Sequence, residues 1–154
     1  MSIDRRVVGA LVVSAGCIVG IASHESYMGS AYRDSVGKPT IGYGETKGVK
    51  MGQKTTPDRA LVQLYKSVNS HADEIKKCIS VPVYQHEYDA FVSASYNIGS
   101  AAFCRSTLVK KLNAGDYAGA CMELKRWVYA GKPKRRLKGL VKRREAEYRT
   151  CIGK

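Results

Sequence analysis

Glu25, Asp34 and Thr40 are the side chains whose types and spacing could do chemistry. Two acids are separated by eight intervening residues, and a threonine opens the glycine-shaped run Thr40-Ile41-Gly42-Tyr43-Gly44. Hydrolysis of a glycosidic bond needs one acid to protonate the leaving oxygen and usually a second carboxylate to steer water or attack the sugar. By spacing alone the triplet is only suggestive, since two acids and a threonine recur by chance in soluble proteins. Asp34 and Thr40 could equally shape turns around Gly37 and Pro39.

The elements that must position these residues can be read around them. Between residues 25 and 52, glycines at 29, 37, 42, 44, 48 and 52 punctuate tyrosines and threonines, which predicts a small β-hairpin lobe. Thr56-Pro57-Asp58 then reads as a cap, a first-turn proline and an acid. Ala60, Leu61, Leu64, Tyr65, Val68 and Ile75 follow at helical spacing, so a long helix is expected over 57–78. Tyr88, Phe91, Val92, Ser95 and Tyr96 predict a helix over 85–98 stopped by Gly99, and further helices are expected over 106–113, 116–129 and 137–151. The fold class is α+β and mostly helical, a hairpin lobe joined by one long helix to a helical lobe. Tyr88, Phe91, Tyr96 and Trp127 read as core, and His24, His71 and His86 as surface or packing residues.

The 154 residues carry 26 Lys and Arg against 13 Asp and Glu, a formal charge of +13 that implies polyanionic partners: wall polymers, membrane surfaces or nucleic acid. The excess is steepest over 132–144, where Lys132, Lys134, Arg135, Arg136, Lys138, Lys142, Arg143 and Arg144 occur without one acid. That run reads as a solvated helix face or a binding surface. Cysteines 17, 78, 104, 121 and 151 form no CxxC pair and have no zinc-like histidine spacing, so neither metal nor cofactor is expected. In an exported protein four of them could make two disulfides. Cys121–Cys151 is preferred because their two helices should pack together, Cys78–Cys104 comes second, and Cys17 is left over; four cysteines allow three pairings.

Arg5 and Arg6 precede residues 7–22, which carry no charge, in the order of an export signal. As a helix this segment would reach roughly 24 Å, short of the ~30 Å hydrocarbon core, and Gly9, Ser14, Gly16 and Gly20 dilute it. Three readings stand: a cleaved signal, a buried core helix, and a marginal anchor that later leaves the bilayer. Cleavage after Ala22 would leave Glu25 almost at the new terminus.

The stretch AYRDSVGKPTIGYGET at 31–46 resembles the active-site hairpin of the phage lysozyme family, and Glu25, Asp34 and Thr40 fall on that family's catalytic Glu, Asp and Thr. The resemblance continues through QHEYDAFVSASYNIG at 85–99, STLVKKLNAGDYAGA at 106–120, Arg126-Trp127 and KGLVKRREAE at 138–147, covering essentially everything after Ser23. It implies a two-lobed lysozyme-like muramidase that cleaves between N-acetylmuramic acid and N-acetylglucosamine in peptidoglycan, without metal or cofactor. Glu25 would be the general acid, with Asp34 and Thr40 holding a water on the opposite sugar face. Ser26 and Glu45 stand where family members commonly have Gly and His, and AGKPKRR at 130–136 departs from the family's glycine-pair turn.

The N-terminus resembles the signal-arrest-release segments of some lambdoid-phage endolysins, which implies export without cleavage, tethering to the host inner membrane and later release to the periplasm. On this reading residues 1–23 are a signal anchor and 24–154 the catalytic domain, divided into a small lobe (24–56), a connecting helix (57–79) and a helical lobe (80–154). A monomer acting on glycan strands is expected, without nucleic acid. The rivals are a lytic transglycosylase on the same bond, against which Asp34 argues, a basic nucleic-acid-binding protein, and a membrane-permeabilising lysis factor.

Overall fold

A computed structural model describes residues 4–154; the first three residues of the expected anchor lie outside it. Its order is α1 (Ala15–His24), β1 (Met28–Arg33), β2 (Pro39–Gly42), α2 (Pro57–Lys76), α3 (Gln85–Ile98), α4 (Ser100–Cys104), α5 (Thr107–Asn113), α6 (Tyr117–Glu123), β3 (Tyr129–Ala130), β4 (Arg135–Arg136) and α7 (Lys138–Cys151). The expected α+β, mostly helical class is what is found, with β1–β2 and β3–β4 as two small antiparallel hairpins.

α2 forms where the proline and acid of its first turn suit a helix start, and it buries Ala60, Leu64, Val68, Ala72 and Ile75 along one face. α3 lies against it and is buried nearly all round, with Tyr88, Phe91 and Val92 at 0 % exposure. Gly99, at φ +91°, ends α3 in the left-handed region, and α4 starts directly after it, a short helix the sequence pattern did not announce. The helix expected over 116–129 is shorter. α6 gives way to a 3-10 turn at Leu124–Arg126, because buried Val128 accepts a backbone hydrogen bond from Leu137 (2.9 Å) and draws the chain into the β3–β4 hairpin. That hairpin settles the form of the unusual 130–136 segment. Both preferred disulfides are present, Cys78–Cys104 and Cys121–Cys151, and Cys17 is free. Closing loops of 26 and 30 residues is worth about 3.5 kcal/mol each in the chain-entropy picture.

Residues 7–22 do not form one helix. A 3-10 turn at Val8–Ala10 is followed by extended chain and then α1, capped by Ser14, whose Oγ accepts from Cys17 N (3.1 Å). Ile18 and Ile21 enter the core, while Val7, Val12 and Val19 stay about two-thirds or more exposed. Polar bonds hold this segment to the body. Arg5 forks onto Glu87 and lies 3.6 Å over the Tyr117 ring, Arg6 pairs with Val83, and Lys76 Nζ donates to Leu11 O (2.8 Å). Ser14 Oγ donates to Asp89 Oδ2 at 2.5 Å. None of the described helices is long and apolar enough to cross a membrane.

Candidate active site

Glu25 is the residue at which α1 ends. Its N–H donates to Ala22 O (3.2 Å), so the helix delivers its side chain to the start of the hairpin lobe. That side chain is 24 % exposed, and Oε1 accepts from Arg143 Nη1 of α7 at 2.8 Å. Oε2 faces Gly44, where a Cβ would stand 3.0 Å away at φ +81°. A side chain at 44 would therefore meet both backbone strain and the carboxylate. Reciprocal backbone bonds between Ile41 and Glu45 (2.9 and 3.0 Å) make the tight turn that brings Gly44 there.

Asp34 sits in the β1–β2 turn. Its Oδ1 accepts from Val36 N (3.0 Å) and Lys38 N (2.8 Å), and Gly37 at φ +81° completes the turn. The turn-shaping reading of Asp34 is thus correct as far as it goes, but the same residue also lines a cleft of about 380 Å³ together with Glu25. Glu45, Ser67, His71 and Tyr96 line it as well. Thr40 is not a lining residue: it is 3 % exposed on β2, and its hydroxyl donates to Lys38 O at 3.0 Å.

Glu45 is tied firmly. Burial alone would raise its carboxyl, but hydrogen bonds from Ser67 Oγ, Lys47 N, Gln63 Nε2 and Thr46 N outweigh this and hold it below the ordinary value. It is therefore a fixed negative charge in the cleft at neutral pH. Tyr96, read from the sequence as core, is half-buried in the cleft wall and donates to Tyr43 O (3.2 Å); burial, then the charges of Glu25 and Glu45, push its phenol up. His71, read as surface or packing, packs edge-on to Tyr96 at 5.4 Å.

The basic run also needs correction. Arg143 and Arg144 are 5 % and 1 % exposed, so two of its eight cations belong to the interior. Sequence reasoning missed both, although Glu147 stands four and three positions beyond them, the spacing of helical ion pairs.

Compared with known proteins, residues 22–147 match the model of the phage lysozyme family. The chain belongs to that family. The endolysin of Acyrthosiphon pisum secondary endosymbiont phage 1 is 39 % identical over 137 residues, covering 88 % of this chain and 94 % of the relative. The SAR-endolysin of Enterobacteria phage P21 is 34 % identical over 148 residues, 94 % of this chain and 88 % of that protein. Among solved structures, the endolysin from Escherichia coli O157:H7 phage FAHEc1 superimposes with a TM-score of 0.86 at 36 % identity, covering 94 % of this chain and 96 % of that one. As a phage lysozyme the chain is a glycoside hydrolase, a muramidase acting on peptidoglycan, and nothing favours the nucleic-acid-binding reading of its charge. The cleft is lined from the hairpin side by Asp34, Gly44 and Glu45 and from α2 and α3 by Ser67, His71 and Tyr96.

Proposed function

We propose that this phage lysozyme cleaves the β-1,4 bond between N-acetylmuramic acid and N-acetylglucosamine with Glu25 as general acid and with Asp34 and Thr40 handling the attacking water. The observation that supports it is the sharing of one cleft by Glu25 and Asp34. Arg143 holds Oε1 of Glu25, which leaves Oε2 to carry the proton toward the leaving oxygen. Asp34 commits Oδ1 to its turn, leaving Oδ2 for water. Thr40 would act from beneath the cleft floor, after its hydroxyl turns away from Lys38 O. Water delivered opposite the acid inverts the anomeric carbon. Proton NMR on freshly cleaved glycan should show the α-anomer first. The β-anomer first would mean retention, and Asp34 would not be activating water.

In the same proposal residues 1–23 are a signal anchor and 24–154 the catalytic domain, with the small lobe at 24–56, the connecting helix at 57–79 and the helical lobe at 80–154. Export and tethering to the inner membrane belong to it. The uncharged segment 7–22 and the SAR-endolysin relative support them. In a bilayer, residues 7–22 would straighten, Ser14 would leave Asp89, and Glu25, only three residues beyond Ala22, would be held at the lipid surface away from Asp34. After release the enzyme acts in the periplasm as a monomer.

A further inference from the structure

Glu147 is a buried carboxylate, 4 % exposed, that the reaction scheme above does not use. Its Oε1 accepts from Ser93 Oγ of α3 (2.8 Å) and from Arg144 Nη2 (2.9 Å), and Arg143 Nε approaches it at 3.4 Å. Oε2 lies 2.7 Å from Arg144 Nε, an ion contact not aligned as a hydrogen bond. The far end of Arg143 donates to Glu25 Oε1 at 2.8 Å. One guanidinium is thus shared between Glu147 and Glu25, and two buried arginines face two carboxylates.

We propose that Glu147 is a positioning residue for glycosidic cleavage: it anchors Arg143 and cancels one of the two buried positive charges that bear on Glu25. This rests on the reading of Glu25 as the general acid. Arg143 and Arg144 are too buried for water and salt to screen them fully. Without Glu147, Glu25 would be the one carboxylate left facing them, and surplus positive charge favours the ionised form of an acid that must be protonated to work.

The other groups nearby do not replace Glu147. A cavity of about 310 Å³ between α1, α3 and α7 borders Glu147 and presents His24, Cys17 and Asp89 to it. Burial, then Arg143 and Arg144, hold His24 below its ordinary value, and burial, then Asp89 and Glu147, push the Cys17 thiol up to about 12. Both are uncharged at neutral pH. Asp89 is engaged by Ser14 and Gln85. Tyr96 and Glu45 lie on the cleft side, where Glu45 is held by its own donors. Among the described residues, Arg143 and Arg144 form ion pairs only with Glu25 and Glu147. Burial raises Glu147 toward its neutral form and lowers Arg144, so both members of that pair resist the charges their contact requires.

The test is the pH profile of kcat/KM on isolated sacculi, with thermal melting measured alongside. Removing the negative charge in Glu147→Gln should favour ionised Glu25, so the alkaline limb moves to lower pH by about one unit and the rate above neutrality falls about tenfold. Glu147→Asp, which keeps the charge, should leave the limb near the wild-type position even if it melts lower. Arg144→Met removes a cation instead and should move the limb to higher pH, which keeps the test decisive if Glu147→Gln does not fold. A limb that stays in place in Glu147→Gln or Arg144→Met while only melting changes would reduce Glu147 to a packing role and overturn the proposal. An equal shift in Glu147→Asp and Glu147→Gln would do the same. If Glu25→Gln is inactive and the limb still does not move, this inference alone fails; if Glu25→Gln is active, the reading beneath it fails.

Discussion

Glu25→Gln is expected to lower wall hydrolysis by about 10² to 10⁴ while the protein folds and melts much as wild type does. The amide keeps the shape of the side chain and can still offer a carbonyl oxygen to Arg143 Nη1, now at 2.8 Å from Oε1. Arg143 keeps its ion contact with Glu147, so each buried arginine still touches a carboxylate, although Glu147 alone then balances both. What is lost is a dissociable proton on the oxygen that faces Gly44. Turbidity clearing of purified sacculi measures the rate and circular dichroism the fold. A folded variant clearing at the wild-type rate would remove Glu25 from the chemistry.

The second large effect concerns residues 7–22. Replacing Gly9, Gly16 and Gly20 with leucine should hold the protein in the membrane, uncleaved and inactive. On insertion scales each leucine at the centre of a spanning helix contributes about −0.5 kcal/mol, so three are worth more than 1 kcal/mol and the docked state loses population accordingly. The β-carbons these substitutions add do not clash in the docked form. A Cβ at Gly9 or Gly20 meets nothing within 4 Å, and at Gly16 only Ser14 Oγ at 3.7 Å. Ser14 is left alone because it both caps α1 and bonds Asp89, so changing it would weaken docking for a different reason. Fractionation of the host should find the variant with the membrane, and lysis should be delayed or absent. Lysis on the normal schedule, or a wild-type chain found by mass spectrometry to begin at Ser23, would make the segment an ordinary leader.

How far the sequence could be read depended on which signals are local. α2 and α3 were legible because their starts and their apolar spacing lie within the helices themselves: Thr56-Pro57-Asp58 for one, and the Tyr88, Phe91, Val92 pattern closed by Gly99 for the other. Glu25 and Asp34 were legible through the hairpin motif, and they do share a cleft. The extent of α6 was not, because its end is set by Val128 pairing with Leu137 across a hairpin. Arg143 and Arg144 were unreadable as interior residues for a similar reason. Nothing in a run of lysines and arginines tells which face of α7 will meet α3 and the end of α1, where Ser93 and Glu25 wait. Tyr96 and His71 carry ordinary helical spacing, and only the approach of the hairpin lobe makes that wall a cleft.

Hydrolysis driven by Glu25 with water as the acceptor can be read from mass spectrometry of muropeptides released from purified glycan strands by the wild-type enzyme. Hydrolysis predicts products ending in a reducing N-acetylmuramic acid that has gained one water, and none of them from Glu25→Gln under the same conditions. Products ending in the 1,6-anhydro sugar, one water lighter, would contradict it: the acid would then be serving a transglycosylase, and Asp34 and Thr40 would hold no attacking water.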